Sequence, residues 1–218
     1  MPFFLTHVYH VKINNFFSFS SANEYKSVLA GNLLPDIRYL LQEKRNYTHF
    51  FDKLLSDEDQ DWVKINFDVG KSLFNCKNVE FKTGYAAHIF LDILWSKNIY
   101  PSYVDKNEEL SDKIILELLL VSKIDREYIL GLENIFINEG SKYYSEQQLN
   151  GWENFVQKYF NSLFTGEREY LQFFKTQSIV AIPNLNQLLS MVKNKLNDDN
   201  AMAKVESILN SDIFKITK

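Results

Sequence analysis

In the run Thr83-Gly84-Tyr85-Ala86-Ala87-His88-Ile89-Phe90-Leu91-Asp92-Ile93-Leu94-Trp95, a histidine and a carboxylate stand four residues apart in otherwise apolar surroundings. Positions i and i+4 of an α-helix lie one above the other on a single face, so His88 and Asp92 aim at a common point. The apolar residues on every side require this helix to be buried. A buried carboxylate costs several kcal/mol unless a cation or hydrogen bonds compensate it. The fold must therefore bring something to that charge: a metal ion, or a hydrogen-bonded imidazole and carboxylate on a partly solvated face.

The rest of the chain supplies helices and little else. Only 7 glycines and 4 prolines punctuate 218 residues, which implies long uninterrupted helices and few tight turns. Residues 3–16 are apolar and fit helix or strand equally. Ser21 and Glu24 have the form of a capping box and predict a helix to about Ala30, ended by Gly31-Asn32. Pro35 sets the start of a short helix with Asp36 at its head, running to about Glu43. Further helices are predicted from Ser56-Asp57-Glu58-Asp59 with a stripe at Trp62, Ile65, Val69 and Phe74, and over 79–97 around the His88/Asp92 pair. The stretch 107–137 reads as one long helix or two, and another begins at Tyr144-Ser145-Glu146, runs to about Phe164 and is punctuated by Gly166. A last helical pattern extends from Pro183 to about Ile213. The class is all-α, a multi-helix bundle, with no repeat, no low-complexity segment and no hairpin signal.

The function classes excluded follow from charge and composition. A net charge of −4 lacks the basic footprint of a nucleic-acid partner. Cys76 stands alone, so neither an internal disulfide nor a CxxC zinc knuckle is available, and it reads as a small buried hydrophobe. No run approaches 18 apolar residues, which argues against a transmembrane segment, and the N-terminus lacks the pattern of a signal peptide. The expectation is a cytoplasmic chain.

The four histidines, His7, His10, His49 and His88, all fall in the first part of the chain, which favours a shared site over scattered surface residues. The natural ligand set is Asp36, His49, His88 and Asp92. Two imidazoles and two carboxylates suit Zn²⁺, with Mn²⁺ and Fe²⁺ also served by the oxygen donors. The two carboxylates would neutralise the dication and make its burial tolerable.

Met-Pro-Phe-Phe-Leu-Thr-His at the N-terminus, then Ala-Gly-Asn-Leu-Leu-Pro-Asp, Thr-His-Phe and Gly-Tyr-Ala-Ala-His-Ile-Phe-Leu-Asp, together resemble the zinc-dependent phospholipase C family, whose helical fold is shared with P1-type nucleases. The resemblance covers about residues 1–100. It implies one zinc on Asp36, His49, His88 and Asp92, and a second on His7 with Asp92 bridging. The family's third zinc needs a further histidine and a His-x₃-Glu pair, but Asn98 stands near the first of those places and no histidine follows His88. One or two ions are expected, not three.

The organisation this implies is a single all-α domain over 1–218, with a metal-binding half at 1–104 and a divergent helical half at 105–218. The implied activity is that of a metal-dependent phosphoric ester hydrolase, in which metal-activated water attacks a phosphodiester with Asp36 and Asp92 as the catalytic carboxylates. Its partner would be a phosphoester small molecule or a phospholipid head group. The alternative is a non-enzymatic helical binding module that retains a structural metal. His10 either joins the second metal or is a buried core histidine. Arg38 and Arg45 either contact phosphate or line an exposed helix face. Tyr85 lies one turn before His88, and the Phe-Phe pairs at 3–4, 16–17, 50–51 and 173–174 read mostly as core.

Overall fold

The computed structural model describes residues 3–14, 21–43, 48, 77–95, 109–123, 135–141, 143–177 and 184–210. In chain order these form α1 (Phe4–Ile13), α2 (Ala22–Leu33), a 3₁₀ turn (Leu34–Ile37), α3 (Arg38–Leu41), α4 (Val79–Leu94) and α5 (Glu109–Leu120). A second 3₁₀ turn (Val121–Lys123) leads on to α6 (Ile135–Gly140), α7 (Glu146–Thr165), α8 (Glu167–Thr176), α9 (Leu185–Leu196) and α10 (Asp199–Asn210). No strand occurs among the described residues, and none of their helices is long and apolar enough to cross a membrane.

The frame is set by α2 and α4, which cross backbone to backbone. A Cβ on Gly31 would lie 1.9 Å from the Phe81 carbonyl oxygen, and one on Gly84 would lie 1.8 Å from the Val28 carbonyl oxygen. This corrects the expectation that Gly31-Asn32 ends the second helix. The helix continues to Leu33. Gly31 is there because the neighbouring helix leaves no room for a side chain, not to terminate the helix.

Local signals elsewhere operate as the residues suggest. Ser21 caps α2 by accepting from the Glu24 N–H, and Asn78 caps α4 by accepting from the Phe81 N–H at 2.9 Å. Ser145 and Gln148 form a reciprocal capping box at α7, and Gly166 at φ 150° turns the chain into α8. Pro35 sits in a 3₁₀ turn and α3 closes at left-handed Gln42, so the short helix expected to Glu43 is two shorter pieces. Among the described residues, the 107–137 stretch carries α5 and the first residues of α6.

Other boundaries differ. The last pattern is also two helices, because the chain breaks at Asn197 and Asp198, whose Oδ1 accepts the Asn200 N–H at 2.9 Å. The sequence reading missed α8, although Tyr170, Leu171, Phe173 and Phe174 give it a buried stripe. The helix expected from Ser56, together with Cys76, Arg45, Asn98 and the Phe-Phe pairs at 16–17 and 50–51, lies outside the described residues.

For the ambiguous N-terminal segment the outcome is a helix, and a distant residue makes it one. No side chain of α1 caps its first turn. Instead Glu117 of α5 accepts from the Leu5 N–H at 2.9 Å, the Thr6 N–H at 2.7 Å and the Thr6 hydroxyl, satisfying donors that a helix start leaves open. The Tyr159 hydroxyl also donates to Glu117 and lies 2.6 Å from that of Tyr170. Phe4 packs over Tyr159 and Trp152 at centroid distances of 4.6 and 5.5 Å.

Burial pushes the Glu117 carboxyl up to about 7 from 4.5, against the pull of its hydrogen bonds. A folded state that holds this proton more tightly than the unfolded chain loses stability as pH rises between these two values. The loss from this one group is on the order of 3 kcal/mol. Denaturant unfolding of wild type and Glu117→Gln across pH 4 to 8 should show wild type losing stability relative to the variant by that amount as pH rises, the contributions of the buried histidines being common to both. Parallel profiles would mean that Glu117 titrates normally.

Candidate metal centre

Because α4 is buried around its whole circumference from Gly84 to Leu94, Asp92 has no exposed surface and His88 is 1% exposed. Across from them α1 places His7, also fully buried. The His7 and His88 rings stack with centroids 3.8 Å apart and planes within 5°. Both turn their Nε2 atoms toward Asp92, His7 at 3.5 Å from Oδ1 and His88 at 3.4 Å from Oδ2. The three side chains bring one potential ligand atom each to within 4.8 Å of one another.

The hydrogen-bond partner of His88 fixes what its Nε2 can be. Nδ1 lies 2.7 Å from the carbonyl oxygen of Asn32, an acceptor with no proton of its own. Nδ1 must therefore carry the proton and donate. Nε2 is then left facing a carboxylate oxygen, where either a metal ion or a second proton on the ring would bridge the two atoms. A backbone carbonyl holding the far nitrogen in this way is the usual support of a metal-ligating histidine.

The spacing fits the same reading. Separations of 3.4 and 3.5 Å exceed the usual hydrogen-bond range of about 2.7–3.2 Å. Two donors each about 2.0–2.1 Å from a tetrahedral zinc are separated by about 3.3–3.4 Å. Neither ring nitrogen of His7 makes a hydrogen bond among the described residues. Burial, followed by the field of His88, holds the His7 imidazole well below its ordinary pKa, so it is neutral and able to donate a lone pair. The donor set, two imidazoles and one carboxylate, could hold a metal ion.

The expected site residues divide on this geometry. His7, His88 and Asp92 come together. Asp36 is fully buried, with Oδ1 3.4 Å from Nε of Arg38, and is not one of the three-residue group. His49 lies outside the described residues. His10 is fully buried, stacks on Phe90 at 5.9 Å and is held down to about 3 chiefly by burial, which suits a neutral core histidine. Arg38 lies over the Tyr39 ring at 4.0 Å, and the Tyr85 hydroxyl donates to the Thr48 carbonyl.

Two residues escaped the sequence reading. In sequence, Asn32 reads as part of a helix stop. Glu117 was one charge in an amphipathic stretch, although a single acid between Ile114-Ile115-Leu116 and Leu118-Leu119-Leu120 was its signal. Compared with known proteins, the chain matches no family model, no curated protein and no solved structure.

Proposed function

We propose that the protein is a metal-dependent phosphoric ester hydrolase, similar to the zinc-dependent phospholipases C, acting on a phosphodiester of a small molecule or phospholipid head group. The observation that carries the metal part of this reading is the convergence of His88 Nε2 and His7 Nε2 on the Asp92 carboxylate, with His88 Nδ1 held 2.7 Å from the Asn32 carbonyl. The ester-hydrolase part rests on the resemblance of the Leu-Pro-Asp, Thr-His-Phe and His-x₃-Asp segments to that family. His7, His88 and Asp92 would hold the ion, which when bound supplies Lewis acidity toward a phosphoryl oxygen and toward water. Among the described residues three ligands come together, and the hydrolase reading requires an open position on the ion, whereas structural zinc sites are closed by four protein ligands. Asp36, one residue after Pro35 and beside Arg38, is the carboxylate assigned to take the proton from water.

A second reading has its own support. All three ligands are at most 1% exposed, as in a structural site of a non-enzymatic helical binding module. The two separate on activity. The hydrolase should cleave a chromogenic phosphodiester, lose that activity to a chelator and regain it with Zn²⁺ or Mn²⁺. Metal uptake without metal-restorable hydrolysis, across phosphodiesters and phosphomonoesters, would establish the module.

A further inference from the structure

Asn32 touches both histidines of the centre without contributing a ligand. It is fully buried in the last turn of α2, where a helix leaves its carbonyls without intrahelical donors. Pro35, three residues on, has no N–H to offer that carbonyl in a 3₁₀ pattern. The freed carbonyl accepts from His88 Nδ1 at 2.7 Å. With the amide turned so that Oδ1 faces α4, it accepts from the His88 backbone N–H at 3.3 Å while Nδ2 donates to the His7 backbone carbonyl at 3.3 Å. Turned over, Nδ2 would reach only the Gly84 carbonyl at 3.4 Å. The first orientation satisfies both ends of the amide and is the one the network selects.

We propose that Asn32 is the positioning residue of the metal centre: its carbonyl selects the Nδ1–H tautomer of His88, and its side-chain amide ties the backbones of His7 and His88 into one register. The inference rests on the metal reading and deepens it. Without the amide, α1 and α4 are free to shift against each other at the ligand positions, and small misplacements of ligands cost affinity. Supporting groups of this kind change metal affinity by about 10-fold to 100-fold.

The test uses the full chain with Zn²⁺ and Co²⁺ as probes. Asn32→Leu keeps the branched outline and removes the amide, and Asn32→Ser removes the amide without crowding the crossing. Each folded variant should bind Zn²⁺ about 10-fold to 100-fold more weakly in competition with a chelator and show an altered Co²⁺ absorption spectrum. A residue serving only to hold the fold would lower the melting temperature of the metal-free protein and leave affinity and spectrum unchanged, which overturns the proposal. Nitrogen NMR of labelled histidine in metal-free wild type adds a measurement independent of any variant. His88 must be the Nδ1–H tautomer, and an Nε2–H ring overturns the proposal. Wild-type protein that takes up neither Zn²⁺ nor Co²⁺ overturns the metal centre itself, so the two failures are distinct.

Discussion

Gly84→Ala is expected to destabilise the protein by at least about 3 kcal/mol and to abolish tight metal binding. The added methyl would stand 1.8 Å from the Val28 carbonyl oxygen and 2.8 Å from the Asn32 nitrogen, both of them backbone atoms that no rotamer change can move. The helices must separate, and overpacking of this kind costs more than the roughly 1 kcal/mol that alanine gains over glycine in a helix interior. Separation also draws the Asn32 carbonyl away from His88, so stability and metal binding fall together. Gly151→Ala is the matched control. Its Cβ meets only the end of the Leu40 side chain, at 3.2 Å, so the change should be neutral or stabilising by up to about 1 kcal/mol. Urea unfolding of both variants checks this, and an unchanged midpoint for Gly84→Ala would mean that α2 and α4 do not touch at the backbone.

Loss of either imidazole should empty the centre. His88→Ala removes a ring whose far nitrogen is anchored to a carbonyl, and His7→Ala removes the donor facing the other oxygen of Asp92. Each takes one imidazole partner from a fully buried carboxylate, a change on the scale of about 3–5 kcal/mol when a buried charge loses its partner. Metal measured on purified protein should fall below one tenth of the wild-type content, because affinity and folding are coupled in such sites. His10→Gln should retain metal, since His10 stacks on Phe90 and is not among the three clustered ligands. The family resemblance implies a second ion on His7 with Asp92 bridging, in which case the loss of His7 would spare the first metal. Metal retained by His7→Ala would restore that arrangement.

How much of this was legible beforehand follows the range of the forces involved. Helical class, the caps at Ser21 and Ser145 and the convergence of His88 with Asp92 are local facts, set by residues within about one turn of each other, and the sequence states them directly. The same holds for the demand that a carboxylate in an apolar run be compensated. What depends on a second segment was not legible. The helical state of residues 4–13 needs a cap from Glu117, more than a hundred positions away. The role of Gly31 reverses from helix stop to contact point because Phe81 lies against it. His7 joins His88 because α1 packs beside α4, and the tautomer that exposes the His88 lone pair is chosen by a carbonyl of α2. The sequence thus determined which residues carry the chemistry on α4. Only the tertiary structure decided which partners complete it, because a close helix crossing is fixed by the fit of two surfaces, and neither segment records that fit on its own.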